Sequence, residues 1–273
     1  MVKESPTHDT EMICIIATGR SGTHALRSLL QQETWITCLD EVLNPELQRK
    51  LPGSITEFLD RMLRLMPEWK MNGKTAEALI NDYFTYLQNL VLESVPLIDI
   101  KDEDLSMLDW PREKQDDRPP FLSQIMDKGY PIIRLTRRNW LAQYASQELA
   151  RQTNKWVLNK GTKIKNKSTK LKIDPIRILK VLEYFENREK RFHRWLSDYP
   201  KIAWLHYEML LDGYRLSSSA RTEIERVVGR SLDPYFSVRT VKQAPPIDQL
   251  IENYDEIKVI LKGTPYEKFL DAE

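Results

Sequence analysis

The stretch Ile13 to Leu30, ICIIATGRSGTHALRSLL, predicts the fold of the chain. Its first four residues form an apolar run of the kind found in a fully buried strand of a parallel sheet. Ala17 to Gly22 is small, polar and basic, and the leucines that follow recur at helical spacing. A strand, a tight turn and a helix in this order form a cradle for a phosphate group. The N–H groups of the turn and the positive end of the helix dipole then point at the same place.

The residue types in this turn suit an anion. Gly19 and Gly22 allow a close approach of the backbone and a positive φ, and Arg20 adds a guanidinium whose forked donors fit phosphate oxygens. The turn departs from the usual nucleotide-hydrolysing loop, G-x-x-x-x-G-K-[ST]. Ala17 takes the place of the first glycine, and Thr23 follows Gly22 where that pattern has lysine. An ordinary turn between a strand and a helix is the alternative interpretation.

Two separated motifs resemble those of the sulfotransferases that use 3′-phosphoadenosine-5′-phosphosulfate as donor. ATGRSGTHAL, residues 17–26, resembles the loop that holds the 5′-phosphosulfate, whose short form is P-[KR]-S-G-[TS]. IIRLTRRNWLAQYASQELARQT, residues 132–153, resembles the segment that holds the 3′-phosphate. The second motif is most similar to the bacterial carbohydrate sulfotransferases of the trehalose and Nod-factor type. A weaker resemblance at 204–212 and 242–257 extends the match over most of the chain, except for a diverged middle at 51–120.

The resemblance implies which residues bind the 5′ end of the donor. Arg20 stands where many relatives have lysine, and Gly19 stands where many have proline. A surface salt bridge is the alternative role of Arg20, and a purely structural role is the alternative for His24. The expected ligands at this end are Gly19, Arg20, Ser21, Gly22, Thr23 and His24.

The second motif implies the ligands of the 3′-phosphate. Arg138 and Ser146 have the family's spacing of an arginine and a serine, and the start of the intervening helix would favour an anion. Arg137 is the rival of Arg138, because a slip of one residue at the strand end exchanges them. Lys242, or Arg239, could reach the nucleotide from the C-terminal loop.

A hydroxyl acceptor needs a general base within reach. Glu41 is the first candidate, because it follows a predicted strand and the trehalose enzymes have a glutamate in a similar stretch. Glu103 is the second, because Lys101-x-Glu103 stands where cytosolic sulfotransferases have lysine-x-histidine. His24 is the third. Arg20 receives a catalytic role as well, since sulfuryl transfer needs cations or amides aimed at the leaving phosphate oxygen.

Strand patterns alternate with helix patterns, which predicts an α/β fold with a P-loop-like parallel sheet of about five strands and helices on both faces. Two amphipathic stripes predict a helical insertion at about 51–92 within a single sulfotransferase domain, 1–273. Residues 151–172 hold eight lysines or arginines and no acidic residue. We expect a flexible basic loop at about 154–172, either a solvated surface or a flap that attracts the donor. The predicted strands are 13–16, 35–39, 96–100, 131–135 and 202–206.

The composition is that of an ordinary globular protein. The chain has 273 residues, 41% of them hydrophobic and 30% charged, and its net charge of +1 gives no indication of nucleic acid or membrane as a partner. Cys14 and Cys38 are too few for a disulfide framework, and the four histidines and two cysteines lack the spacing of metal ligands. The first residues have no signal-peptide core, and no segment reaches the roughly 20 apolar residues of a membrane span. We expect a cytoplasmic protein that binds no metal.

Three functions are open at this point. The first is transfer of a sulfuryl group from 3′-phosphoadenosine-5′-phosphosulfate to a hydroxyl-bearing small molecule or glycan, most simply a carbohydrate or glycolipid. The second is a P-loop nucleotide or sugar kinase, against which the missing lysine counts. The third is a non-catalytic nucleotide-binding relative. The sequence leaves open the identity of the acceptor, and it leaves both a monomer and a homodimer open.

Overall fold

A five-stranded parallel sheet forms the centre of the protein. The computed structural model describes residues 11–44, 52–65, 76–91, 93–105, 117–156, 170–238 and 245–271. The strands lie in the order β2-β3-β1-β4-β5, and every neighbouring pair is parallel. The predicted α/β fold is therefore confirmed. The strands are β1 (Ile13–Ala17), β2 (Ile36–Cys38), β3 (Val95–Lys101), β4 (Ile132–Thr136) and β5 (Ile202–His206).

Helices connect the strands and cover both faces of the sheet. A short antiparallel ribbon, which the sequence did not predict, follows β5 and consists of β6 (Leu211–Asp212) and β7 (Arg215–Leu216). Two-residue strands are too short to show any periodicity. The helices are α1 (Thr23–Leu30), α2 (Ile55–Leu65), α3 (Ala76–Asn89), α4 (Pro120–Asp127), α5 (Trp140–Thr153), α6 (Ile178–Leu196), α7 (Tyr207–Leu210), α8 (Ser218–Val228), α9 (Ile247–Leu250) and α10 (Tyr254–Leu261).

The side chains of β1 alternate between two apolar layers. Cys14 and Ile16 belong to the layer that contains residues of α2, α3, α4 and α6. Ile13, Ile15 and Ala17 belong to the opposite layer, with residues of α1 and α8. Because both faces are covered, the whole strand is buried, which explains the unbroken apolar run in the sequence.

The helical insertion predicted for about 51–92 comprises α2 and α3, between β2 and β3. Its apolar side chains pack in the first layer, where the rings of Phe58 and Tyr83 have centroids 5.3 Å apart. The hydroxyl of Tyr83 donates to the carbonyl of Gly53 at 2.6 Å. No helix in the described parts of the chain combines the length and apolarity needed to cross a membrane.

The strand order creates a topological switch point at the carboxyl edge of the sheet. β1 and β4 are neighbours, but the strands that follow them, β2 and β5, lie at opposite ends of the sheet. Ligands of open α/β sheets bind at such a switch point, outside the carboxyl ends of the strands. The segments that leave the five strands here begin at Thr18, Leu39, Asp102, Arg137 and Tyr207.

Candidate functional site

The turn between β1 and α1 is held in an unusual backbone conformation. Gly22 has a φ of 93° and Arg20 a φ of 67°, both in the left-handed region. For Arg20, which has a side chain, this conformation costs on the order of 1–3 kcal/mol. The hydroxyl of Ser21 donates to the carbonyl of Thr18 at 2.7 Å and closes the turn. Strain of this kind persists where surrounding contacts impose it, as they do at ligand sites.

Gly22 is the N-cap residue that precedes helix α1, and it brings the backbone close to a neighbouring ring. Among the described residues no side chain caps this helix, so its leading N–H groups are available to an anion. A Cβ atom at Gly22 would lie 2.6 Å from Cδ2 of Tyr207, which only glycine avoids. The turn therefore has the open helix start and the close approach that the sequence predicts for a phosphate cradle.

Arg20 joins the turn to helix α5. Its Nε donates to the hydroxyl of Ser146 at 3.0 Å, and its Nη1 donates to the carbonyl of Trp156. Nε2 of Gln143 donates to the carbonyl of Gly19 at 2.9 Å. The structure thus brings together two predicted site residues, Arg20 and Ser146, that lie 126 positions apart.

The two arginines after β4 have different surroundings. Arg137 is buried, and its guanidinium lies 5.0 Å from the centre of the Tyr207 ring. Burial, followed by the charge of Arg137, lowers the pKa of Arg20, so these two cations are close to each other. Arg138 is exposed, and its charge instead lowers the pKa of His206, after burial. The structure brings Arg137 to the loop; a role of Arg138 at a 3′-phosphate stays a prediction.

The start of helix α5 already holds a carboxylate. Oε1 of Glu208 accepts hydrogen bonds from the backbone N–H groups of Arg138 and Asn139 at 3.0 and 3.2 Å. Oδ1 of Asn139 accepts from the N–H of Ala142 at 2.9 Å. These amides therefore have partners and are not open to a phosphate. The helix start that was expected to favour the 3′-phosphate presents a negative charge instead.

Glu41, the first candidate base, belongs to a buried ion cluster. Nζ of Lys101 lies 3.2 Å from Oε1 of Glu41, and Nδ2 of Asn44 donates to the same carboxylate at 2.6 Å. Burial acts to raise the pKa of Glu41, but Lys101 and then Asn44 outweigh it, and the pKa is lowered. Lys101 thus holds Glu41 in its ionised form.

Lys101 also reaches the turn between β1 and α1. Its Nζ donates to the hydroxyl of Thr23 at 2.9 Å and to the two carboxylate oxygens of Asp99 at 2.8 and 2.7 Å. Thr23 stands where the nucleotide-hydrolysing loop has its lysine, so β3 delivers an ammonium group to that position. The sequence showed Lys101 only as part of the Lys-x-Glu pattern and did not identify it as a site residue.

His24 is a hydrogen-bond donor rather than a base. Nη2 of Arg27 donates to Nδ1 of His24 at 2.8 Å. Because a guanidinium can only donate, the proton of the neutral imidazole is on Nε2. Burial and the charge of Arg27 lower the pKa of His24 to about 4, so the ring is neutral near pH 7. Its Nε2–H suits an anionic oxygen, whereas the nitrogen that could accept a proton is already engaged.

Glu103, the second candidate base, lies beside the turn. A Cβ atom at Gly19 would be 3.7 Å from Oε1 of Glu103. Solvent reaches this side chain, yet partial removal from water and the charge of Asp102 raise its pKa. A raised pKa suits a general base, since the carboxylate then accepts a proton more readily. The two candidate bases therefore differ in their electrostatics.

Asp104 lies after β3, near the carboxyl edge of the sheet, and was not predicted as a site residue. Its side chain is 8% exposed, and burial together with Glu103 and Glu41 raises its pKa to about 7. The only signal in the sequence is the run of acids at 102–104 after a strand, which is typical of a solvated surface.

A buried network of ion pairs around Arg134 and Asp102 is linked to the turn by a hydrogen bond from Thr18. Arg134 is fully buried, and both of its terminal nitrogens donate to Asp102. Nη2 of Arg134 also donates to Glu189 at 2.7 Å, and Nε of Arg188 lies 3.2 Å from Asp102. The hydroxyl of Thr18 donates to Asp102 at 3.0 Å. The network therefore fixes the first residue of the turn to β3, β4 and helix α6.

Lys242 and Arg239 lie outside the described residues, and so do 157–169 of the basic segment. Among the side chains that are described, no three acidic, histidine or cysteine groups are arranged to hold a metal ion.

Comparison with models of known protein families gives no match, and no curated protein is significantly similar to the chain. The function therefore has to be argued from the site itself.

Proposed function

We propose that the protein transfers a sulfuryl group from 3′-phosphoadenosine-5′-phosphosulfate to a hydroxyl of a carbohydrate or glycolipid. The observation that carries this proposal is the 3.0 Å hydrogen bond from Arg20 to Ser146. These residues belong to the two motifs that resemble the 5′- and 3′-phosphate segments of sulfotransferases. Their meeting at one turn, at the carboxyl edge of a parallel sheet, supports a site that holds both ends of one donor.

The donor end of the site is built for an anion. The open start of α1 and the guanidinium of Arg20 would receive the charge that develops on the leaving phosphate oxygen. Arg20 would exchange its bonds to Ser146 and Trp156 for phosphate oxygens. Lys101, which donates to the hydroxyl of Thr23, places an ammonium group beside the turn. Such groups accelerate the transfer because they are in place before the charge develops.

Two residues next to the turn, His24 and Asp99, argue against a kinase. A P-loop kinase holds Mg²⁺ with a hydroxyl that follows the loop lysine and with a strand aspartate. His24 stands at the position of that hydroxyl and presents an N–H donor, which repels a cation. Asp99, the carboxylate beneath the turn, has both oxygens bound by Lys101. The site therefore fits a phosphosulfate, which carries less charge than a triphosphate, without a bound Mg²⁺.

The acceptor end requires a base. The acceptor oxygen bonds to sulfur, the bond between sulfur and the phosphate oxygen breaks, and the hydroxyl proton passes to a carboxylate. Glu103 has the raised pKa that this step needs and lies beside Gly19. Glu41, ion-paired with Lys101, is the weaker base of the two. On these grounds we rank Glu103 before Glu41.

The base is tested by replacing each candidate with glutamine. Glu103→Gln should lower the rate of transfer by roughly 100-fold, the lower end of what a general base contributes, because the proton then has no acceptor. Glu41→Gln should have a smaller effect. The measurement is transfer of labelled sulfate from the donor to a panel of sugars. Binding of 3′,5′-bisphosphoadenosine should be unchanged in both variants. Normal transfer by both variants would remove these residues from the mechanism.

Comparing the binding of two nucleotides tests which of Arg137 and Arg138 binds the 3′-phosphate. The arginine that binds the 3′-phosphate should, when changed to alanine, weaken binding of 3′,5′-bisphosphoadenosine at least about tenfold, the loss of a charged hydrogen bond. It should leave binding of adenosine 5′-monophosphate, which lacks the 3′-phosphate, unaltered. Burial beside Tyr207 and proximity to Arg20 lead us to expect this pattern for Arg137. If only Arg138→Ala weakens binding of the bisphosphate and leaves binding of the monophosphate unaltered, Arg138 binds the 3′-phosphate, as its spacing from Ser146 predicts.

We also propose that the protein works in the reducing cytoplasm. Cys14 is buried and Cys38 is half-buried, and both are free thiols. Burial raises the pKa of Cys38 to about 11, which keeps this thiol protonated and unreactive.

A further inference from the structure

A ring of side-chain contacts lies next to the first turn of helix α1. Nζ of Lys101 donates to the hydroxyl of Thr23 at 2.9 Å and to Oδ2 of Asp99 at 2.7 Å. The same oxygen of Asp99 lies 3.4 Å from Nε of Arg27, whose Nη2 donates to Nδ1 of His24 at 2.8 Å. His24 follows Thr23 in the chain, so the contacts close on themselves. These five residues are called here the α1 network.

Arg27 is held between two carboxylates. Its side chain is 6% exposed, Nη1 donates to Oδ1 of Asp40 at 2.5 Å, and Nε faces Asp99. Burial acts to lower the pKa of Arg27, but Asp99 and then Asp40 outweigh it, and the pKa is raised. The guanidinium therefore stays charged. Because it is planar, the two contacts also set the direction of Nη2, the nitrogen that reaches His24.

The charge of Arg27 determines which nitrogen of His24 carries the proton. The two residues are three positions apart on α1, a spacing at which helical side chains are neighbours. Because a guanidinium has no acceptor, Nδ1 of His24 keeps its lone pair and the proton lies on Nε2. Lys101 also opposes a positive charge on the ring, whereas Glu41 and Asp99 favour one. Burial and the two cations prevail, so the pKa of His24 is lowered and the imidazole is neutral.

The N–H group of the His24 ring is available to a ligand. Among the described residues, Nε2 of His24 has no hydrogen-bond partner, and the side chain is partly exposed. His24 is the second residue of α1, whose start has no side-chain cap. The ring thus adds a donor at the end of the helix where the leading backbone N–H groups are open. A donor that is oriented before the ligand arrives stabilises developing charge without reorganisation.

We propose that Arg27 is a positioning residue for sulfuryl transfer, which holds His24 so that its Nε2–H donates to an oxygen of the 5′-phosphosulfate. This inference rests on the proposed function. His24 contacts the donor, gives up no proton and takes none. The acceptor oxygen bonds to sulfur, the S–O bond to the 5′-phosphate breaks with its electron pair on the phosphate, and Glu103 takes the hydroxyl proton. In the alternative role, Arg27 only ties α1 to the carboxylates that belong to β3 and follow β2.

The orientation of His24 is tested by ¹⁵N NMR of protein with labelled histidines, in which His24→Phe identifies the signal. At about pH 6, where an ordinary histidine is largely protonated, His24 should be neutral with its proton on Nε2. Addition of 3′,5′-bisphosphoadenosine should shift the Nε2 signal. In Arg27→Gln, part of the molecules should carry a proton on Nδ1. A proton on Nδ1 in the wild type would overturn the assignment, whatever reaction the protein catalyses.

The action of Arg27 through His24 is tested by a double-mutant cycle on kcat/KM for sulfuryl transfer. His24→Phe should lower kcat/KM by roughly tenfold or more, the loss of a hydrogen bond to a charged oxygen. Arg27→Gln should lower it about fivefold, since the ring is then not fixed. Beside His24→Phe, Arg27→Gln should cause no further loss, because no imidazole is left to hold. Losses that multiply would show that Arg27 supports only the fold and would overturn the proposal.

Two more variants make the cycle decisive. Arg226→Gln is the matched control, because Arg226 is half-exposed and pairs with Glu223, and it should leave kcat/KM and the His24 signal unchanged. If Arg27→Gln does not fold, Asp40→Asn loosens the same guanidinium from a half-exposed position, and its loss should likewise vanish beside His24→Phe. If the wild type neither binds the bisphosphate nor transfers sulfate, the proposed function fails. The His24 signal without nucleotide separates that failure from a wrong assignment of Arg27.

Discussion

Replacement of Arg20 by alanine is expected to lower the rate of sulfuryl transfer by roughly 100- to 1,000-fold, the usual effect of removing a group that stabilises developing negative charge. Binding of 3′,5′-bisphosphoadenosine should weaken by roughly 10- to 100-fold, the loss of a charged hydrogen bond. Two features support so large an effect. Arg20 is held at a φ of 67°, and its guanidinium is aimed at Ser146 of the second motif. Calorimetry measures the affinity, and transfer of labelled sulfate measures the rate.

Two further variants separate the charge of Arg20 from its shape. Arg20→Lys keeps the charge but loses the forked donors, so it should lie between wild type and alanine. Arg226→Ala is the matched control, because Arg226 lies at the opposite edge of the sheet, where it pairs with Glu223 and donates to the carbonyl of Ile202. Wild-type affinity in Arg20→Ala would show that the turn does not hold the donor.

Replacement of Arg134 by methionine is expected to lower the free energy of unfolding by about 3–5 kcal/mol. The side chain is fully buried, and its loss leaves Asp102 and Glu189 without their shared cation. A buried carboxylate without its partner is far more costly than a missing pair. Chemical denaturation, followed by tryptophan fluorescence, measures the effect.

The double variant Arg134→Met/Glu189→Gln tests the cause of that loss. It removes one positive and one negative charge from the network, so part of the stability should return. Arg226→Met breaks an exposed pair and should cost no more than about 1 kcal/mol. A loss in Arg134→Met as small as in Arg226→Met would mean that the buried network contributes little.

The fold was predictable because burial leaves a strong trace in the sequence. Strands covered on both faces carry continuous apolar runs, and all five predicted strands lie within two residues of the observed bounds. The turn between β1 and α1 was predictable because glycine and other small residues between a buried strand and a helix permit the positive φ and the close backbone approach of such a turn. Ile202–His206 was predicted without any shift.

The electrostatics of the site were harder to predict. Asp102 and Arg134 are 32 positions apart and Arg134 and Glu189 are 55 apart, and no local pattern links them. The choice between Arg137 and Arg138 depends on the direction in which a side chain leaves the end of β4, which a motif does not specify. Asp104 looked like a surface acid because it ends a run of three acidic residues, a pattern that is typical of a solvated surface.

The most direct test of the central claim is calorimetric titration with 3′,5′-bisphosphoadenosine, with ATP and Mg²⁺ run beside it. The site has a helix start without a side-chain cap, and the ammonium group of Lys101 is bound to Asp99. We therefore predict that the bisphosphate binds with a Kd on the order of micromolar and that ATP with Mg²⁺ does not bind. Binding of ATP with Mg²⁺ alone would contradict the account and favour a kinase.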